Sequence, residues 1–428
     1  MIGFKKYTIL KNSGILWVGD IPDHWEVKKF KHFYASSMGN TILKEDLSDE
    51  ATIPVYSATE YVEILGYIDN PNVLLHREDF IIPARGNSIG HVKLVEDKCT
   101  CTQTTIYARR RYPGRINSSF VYWYQIGLRK KLYEYNNTAI PQLTVRQVKD
   151  NPILVPSMDE QRMISTFLDQ ETARIDALIQ KKERMIELLK EKRIALITQA
   201  VTKGLDPNVS SKDSGIEWLG EVPEHWDIKR LKYVSSCNDE SLPETTDPDY
   251  EMLYVDISSV SRIEGITTKE EMSFEDAPSR ARRRVRDGDT IVSTVRTYLR
   301  AIAPIENAED NLIVSTGFAV LRPLSIFSGY LSLFLQSHFV VESIVARSVG
   351  VSYPAINASD IRDISITIPP LSEQHDIVDR IREATSQIGA LQTKNKQSIT
   401  LLREYRSSLI HHAVTGKIDL RDYDAQVQ

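Results

Sequence analysis

Apolar side chains recur at heptad spacing between residues 156 and 204: Leu168, Ile175, Leu189 and Leu196 lie seven or fourteen positions apart. Ile164, Leu178 and Met185 form the expected companion row. After Pro156 no Gly or Pro interrupts the stretch until Gly204, a natural stop, and Ser157 or Asp159 can serve as N-cap. The pattern predicts one helix of roughly 43 residues, about 65 Å long at about 1.5 Å per residue. A helix of that length needs a partner along it.

The partner stands in the same chain. At an offset of 213, residues 368–419 repeat the pattern, so that Leu168 maps to Ile381, Ile175 to Ile388, Leu189 to Leu402 and Leu196 to Leu409. The break in the seam repeats too, with Lys182 in one copy and Asn395 in the other. Antiparallel packing would set these two polar residues face to face near a pseudo-twofold axis, where a polar seam position fixes register at some cost in stability. The alternative is that each is a solvated edge residue.

A second repeat runs at an offset of 201. Ser13-Gly14-Ile15, Trp17, Gly19, Pro22, His24-Trp25 and Lys28 match Ser214-Gly215-Ile216, Trp218, Gly220, Pro223, His225-Trp226 and Lys229. The second copy therefore carries about a dozen extra residues before its helix. The ends of the two copies match well and the middles barely match. Each middle reads as short strands, turns and short helices. Residues 79–97 and 104–110 form strands around a turn at Arg85-Gly86-Asn87, followed by an aromatic helix at 118–134. Residues 287–306, 315–323 and 328–346 play the same parts. Each middle closes on an extended segment with proline, 136–144 and 350–357, in which Pro141 and Pro354 are equivalent. Residues 205–215 read as a polar linker. The prediction is an α+β chain with a pseudo-twofold internal repeat: a globular domain at 1–156, a long helix at 157–204, a second domain at 205–369, a second long helix at 370–418 and a tail at 419–428. If the two helices pack against each other, the fold is an antiparallel coiled coil.

Composition is that of a soluble globular protein, and no run of 18 apolar residues is present to span a membrane. The first residues lack the apolar core of a signal peptide. Three cysteines, Cys99, Cys101 and Cys237, are too few for a disulfide framework, so a reducing cytoplasm is expected. Net charge is −5, which excludes a uniformly basic nucleic-acid binder and confines such binding to local patches. Three runs qualify: Arg280, Arg282, Arg283, Arg284 and Arg286; Arg109, Arg110, Arg111 and Arg115; and Arg129, Lys130 and Lys131.

Catalytic motifs are missing. The sequence has no GxxxxGK[ST] phosphate loop, no GxGxxG after a strand, no HExxH and no GxSxG. Asp79 with Glu96, Asp97 and Lys98 forms a loose metal-nuclease pattern without a clear counterpart in the second copy. The His24-Trp25 and His225-Trp226 pairs read as packing clusters with Trp17 and Pro22, and His411-His412 as a solvated helix end. No metal site is expected. The polar turns are the better candidates for binding: Arg85, Asn87, Ser88, Gln103 and Thr104 in the first middle, and Arg296, Thr297, Tyr298, Arg300 and Tyr353 in the second. Arg, Asn and Gln read guanine and adenine edges in a major groove, and flanking cations such as Arg109, Arg110, Arg282, Arg283 and Arg284 hold phosphates.

The combination resembles one family. Each copy has an SGI-W-G-P-HW start, a helix that opens on Pro156-Ser157-Met158-Asp159-Glu160-Gln161 or Pro369-Pro370-Leu371-Ser372-Glu373-Gln374, and a close on Ala200-Val201-Thr202 or Ala413-Val414-Thr415. This is similar to the specificity subunit of a type I restriction–modification system over nearly the whole chain. The resemblance implies two target recognition domains, each reading half of a bipartite DNA site, held apart by the paired helices. It also implies no catalytic centre and no cofactor of its own. Two methylation subunits would bring S-adenosylmethionine, and two motor–nuclease subunits would complete the assembly. Two rival readings remain at this point: a coiled-coil scaffold that reads no DNA, and a nuclease built on Asp79, Glu96 and Lys98.

Overall fold

The computed structural model describes residues 4–60, 63–134 and 141–423. Part of the first prolyl segment, residues 136–140, lies outside them. The chain forms two compact units, residues 1–181 with 397–428, and residues 182–396. The long helices are Met158–Lys203 and Leu371–Val414. The division falls inside both, so each unit takes half of each helix.

In the unit of residues 182–396 the two halves run antiparallel. Lys182 Nζ donates to Asn395 Oδ1 at 3.4 Å, Ile197 and Val201 share a core with Ile377 and Ile381, and Gly204 lies beside Glu373. In the other unit Asp176 pairs with Arg406 at 2.9 Å, and Tyr423 reaches back to Gln170 and Phe167. Along the first helix Ile164, Leu168, Thr172, Ile175, Ile179, Ile186, Leu189, Ile197 and Ala200 are buried, with half-buried Lys182 and Arg193 in the gaps. From Ile164 to Ala200 this row takes ten steps over 36 residues, or 3.6 per step. That is the period of a straight α-helix, and a strict heptad repeat drifts against it by about 20° per heptad. The expected companion row is thereby corrected: Leu178 and Met185 are 38% and 48% exposed, and Ile179 and Ile186 take their place. Leu196 is half-buried where Ile197 is buried. In the second helix Ile381, Ile388 and Leu409 are buried, and Asn395 and Leu402 are half-buried.

The middles that barely match in sequence share a sheet. In the first unit its strand order is Tyr34–Met38, Thr105–Arg110, Phe80–Pro83, Lys93–Leu94, all antiparallel. In the second it is Ser235–Cys237, Phe318–Pro323, Thr290–Ser293, Ile302–Pro304, also antiparallel. Phe80–Pro83 and Thr290–Ser293 are buried along their whole length, as befits central strands covered on both faces. A smaller sheet repeats as well: Ile53–Tyr56 lies antiparallel to Ile64–Ile68 and parallel to Thr100–Cys101, as Glu251–Val255 lies to Glu270–Ser273 and Leu312–Ser315. The second unit adds Ala281–Arg284 as a fourth strand, where the first has, among the described residues, the bridge of Leu75 to Cys99.

The residues expected to be a linker pair instead. Ser211–Asp213 forms a hairpin with Glu221–Pro223, as Leu10–Asn12 does with Asp20–Pro22. Each hairpin leads to its His-Trp pair, which locks a helix start. Glu160 accepts hydrogen bonds from His24 (2.8 Å), Trp25 Nε1 (3.3 Å), Tyr7 (3.1 Å), and the Ser157 amide and hydroxyl (3.2 and 2.8 Å). Ser157 and Glu160 form a capping box. Glu373 accepts from His225 (2.8 Å) and Trp226 (3.1 Å). Pro370 stands where Ser157 does, so the second helix has no hydroxyl cap at that position. The closing glycines complete each joint: Gly416 (φ +68°) abuts Pro22 and Trp25, and Gly204 (φ +75°) abuts Pro223 and Trp226. The histidines therefore bind carboxylates as well as packing. His411 and His412 are half-buried rather than solvated, and His412 Nδ1 lies 2.6 Å from the Ser408 carbonyl oxygen.

Candidate nucleic-acid interface

One end of each main sheet carries a short 3-10 turn that opens on an arginine. In the first unit it is Gly86–Ser88 after Arg85, and in the second Thr297–Leu299 after Arg296. Both turns pair with the prolyl segment, through bridges of Arg85 with Gln142 and of Val295 with Ala355. The turn geometry is reached differently. Gly86 takes the left-handed conformation (φ +71°), whereas Arg296 and Arg300 adopt it themselves (φ +52° and +51°). A left-handed non-glycine residue costs roughly 1–2 kcal/mol, and such strain persists where neighbours hold it. Here Thr297 N donates to the Pro354 carbonyl (3.4 Å), Thr297 Oγ1 to Ser348 Oγ (2.8 Å), and the Arg296 guanidinium lies 5.3 Å from the centre of the Tyr353 ring.

In the first unit Arg85, Asn87 and Gln103 are exposed at this end and Thr104 is half-buried. The Thr104 carbonyl accepts from Ala84 N (3.0 Å), which sets the two turns side by side. Gln103 Oε1 accepts from Thr41 Oγ1 at 2.6 Å, adding Thr41 to the group. Ser88 is not available to a ligand. It is buried, and its hydroxyl donates to the Ala58 carbonyl at 2.7 Å. Buried Lys93 pins the same 57–59 loop through Ser57 O and Thr59 Oγ1, and burial lowers its pKa. In the second unit Tyr298, Arg300 and Tyr353 are exposed and Thr297 is buried. Arg300 pairs with Glu342 at 2.8 Å.

Many cations of two arginine runs have partners within the protein. Arg109 and Arg110 lie at the opposite end of their strand from Thr105, paired with Ala35 and Tyr34. Arg109 donates to the Leu74 carbonyl (2.8 Å), and Arg110 pairs with Glu78. Within 280–286, Arg280 pairs with Asp256 (2.9 Å) and Arg286 with Glu240 (2.6 Å). Arg282 and Arg284 lie over the rings of Phe274 and Tyr250, and Arg283 is half-buried in the bulged strand. A strand alternates its faces, and carboxylates and aromatic rings hold most of these cations.

The nuclease pattern also dissolves. The Asp79 carboxylate accepts from the backbone N–H of His76 and of Arg110, each at 2.9 Å, and closes the turn before its strand. It has a counterpart after all. Asp289 accepts from Arg286 N (2.9 Å) in the equivalent turn and binds Arg322 with both oxygens. Among the described residues no group of three His, Cys, Asp or Glu side chains is placed to hold a metal ion. Also among them, no single helix is long and apolar enough to cross a membrane.

Two copies of one scaffold, each with an arginine-led turn at the same sheet end, define a tandem recognition protein. The chain belongs to the type I restriction modification DNA specificity domain family, whose pattern matches residues 22–188 and 223–401. Its function is accordingly DNA target recognition as the specificity subunit of a type I restriction–modification system. It is 22% identical to the type I restriction enzyme MjaVIII specificity subunit of Methanocaldococcus jannaschii, covering 94% of this chain and 95% of that one. The EcoDI specificity subunit of Escherichia coli is 20% identical, with coverage of 94% and 90%. Among solved structures, one from work on complex assembly and conformational transition of the type I R-M system superposes with a TM-score of 0.69, at 16% identity, covering 93% and 99% of the chains. The HsdS subunit from Thermoanaerobacter tengcongensis gives a TM-score of 0.53, also at 16% identity, with coverage of 93% and 98%.

Proposed function

We propose that residues 1–156 and 205–369 each read one half of a bipartite, asymmetric DNA target, and that residues 157–204 and 370–418 set the gap between the halves. The observation that carries this reading is the repeated arginine-led turn on a repeated sheet, dressed with different side chains. The first turn offers Arg85, Asn87 and Gln103, and the second Arg296, Tyr298 and Tyr353. One geometry with two chemistries reads two different sequences, through hydrogen bonds to base edges. A helix of 46 residues is about 69 Å long, about two turns of duplex.

The subunit is non-catalytic in this reading, has no cofactor of its own and acts in the cytoplasm. Two methylation subunits, which bring S-adenosylmethionine, dock on the outer helix faces, and two motor–nuclease subunits complete the complex. Support for a duplicated docking surface comes from four exposed leucines. Leu178 and Leu391, and Leu188 and Leu401, are pairs at the 213-residue offset. Identical subunits need equivalent surfaces.

The test is to map methylated adenines across the genome of a host carrying this chain with its methylation subunit. A two-part motif with a fixed gap is expected. Replacing residues 30–150 with another recognition domain should change one half only. One heptad inserted at equivalent points of both helices should change the gap and leave both halves alone. A continuous motif, or a gap that ignores the insertion, refutes this arrangement.

A further inference from the structure

The prolyl segment of the second unit carries a bare apolar tip. Val351 is 102% exposed, the most of any large apolar side chain among the described residues, and Val349 and Tyr353 are 80% and 66% exposed. The loop is rigid at its base. Val349 N donates to Ala355 O (2.9 Å) and Ala355 N to Val349 O (3.0 Å). Gly350 allows the closure: it stands at φ +120°, and a Cβ there would lie 3.1 Å from the Tyr353 carbonyl oxygen. The bonds from Thr297 to Pro354 and Ser348 fasten this loop to the arginine turn.

Apolar surface presented this way marks a binding site, and the surroundings select the partner. Arg296 stacks on Tyr353, and exposed Arg347 directly precedes the loop. Cations around an apolar tip fit a polyanion with apolar layers, which is duplex DNA. Side chains of this kind enter between base steps, unstack them in part and kink the helix. We propose that Val351, flanked by Val349 and Tyr353, is a wedge that parts one base step in the half-site read by residues 205–369. The inference rests on reading this unit as a DNA-recognition domain. It is also asymmetric. At the 213-residue offset Val349 and Val351 become Asn136 and Thr138, so the proposal is confined to the half-site read by residues 205–369.

The experiment uses the full chain assembled with its methylation subunits on the mapped target. Fluorescent base analogues are placed at each step of both half-sites, except at the methylated adenines, whose flipping gives a separate signal. Donor and acceptor dyes at the duplex ends report bending. The expected result is a fluorescence rise at one step of one half-site, with a kink on the order of 20–90°. The Val349→Ser/Val351→Ser double variant should lose both signals, and Val351→Leu should keep them. Stiffening the parted step with an A-tract should weaken binding of the wild type by about tenfold, and that of the double variant far less. Specific binding without the fluorescence rise and kink overturns the wedge and leaves DNA reading intact. A signal retained in the double variant also overturns it. Absence of specific binding by the wild type overturns the recognition reading itself.

Discussion

Removing the carboxylate at the two helix starts should damage the two units unequally. Glu160→Ala leaves the indole N–H of Trp25, which is fully buried, and the hydroxyl of buried Tyr7 without an acceptor. Each stranded buried donor costs about 1–3 kcal/mol. Losing the reciprocal cap with Ser157 adds about 1 kcal/mol. The His24 contact adds little, because the ring is 45% exposed and water replaces the carboxylate. The total is about 5 kcal/mol. Glu373 is more open, with 27% of its side chain exposed, and serves one buried donor, Trp226. Its removal should cost about 2 kcal/mol. The difference of about 3 kcal/mol is roughly 150-fold in a local opening equilibrium. Hydrogen exchange of the full chain reads it separately at each joint, in peptides covering residues 21–30 and 156–166 against 222–231 and 369–379. Equal acceleration at both joints, or a larger effect of Glu373→Ala, would refute the assignment of Tyr7 and Ser157 to the lock.

Other outcomes follow from the same geometry. Gly416→Ala should lower stability by about 3 kcal/mol in denaturant titrations, because its Cβ would lie 2.4 Å from Pro22 Cδ at φ +68°. Gly204→Ala, with its nearest neighbour at 3.3 Å, should cost about 1 kcal/mol. Burial alone would raise the Glu160 carboxyl, but hydrogen bonds from His24, Ser157 and Trp25 hold it below its usual 4.5. A depressed carboxyl stabilises the fold above the unfolded value and ceases to do so as pH falls through the folded one. The stability gap between wild type and Glu160→Gln, measured by urea midpoint, should therefore narrow below about pH 4.5. A gap independent of pH would sink this account. Arg85→Ala and Arg296→Ala should each relax base preference in one half-site, at about 1–3 kcal/mol, and leave the other unchanged in competition binding.

The repeat was legible because its two copies reuse the same residues at the same spacing. The shared sheet of the middles was not. Phe80-Ile81-Ile82 and Thr290-Ile291-Val292 satisfy the same buried backbone positions with different side chains, and a strand asks only for fit to its neighbours. Leu168, Ile175 and Leu189 obey heptad spacing, so the sequence alone predicts a heptad seam. The drift toward Ile179 and Ile186 emerges only when burial is known. Runs of arginine hide their partners in the same way. Composition counts cations, but Arg280, Arg286 and Arg110 are held by Asp256, Glu240 and Glu78 from distant parts of the sequence. The bond from His24 to Glu160 spans 136 residues, beyond any local pattern. Its signal was nonetheless present, since a His-Trp pair and a Glu-Gln pair occur together in both copies.

Residues of the 397–423 stretch complete the unit that holds residues 4–181. Lys5 bonds Asp422, Lys417 Nζ donates to the Asp20 carbonyl at 2.6 Å, and Gly416 seats against Trp25. During synthesis residues 182–396 therefore leave the ribosome as a complete unit while the first still waits for residues 397–423. A nascent chain stalled before residue 397 would carry one finished reader and one with its apolar joint open, a natural substrate for chaperones and proteases.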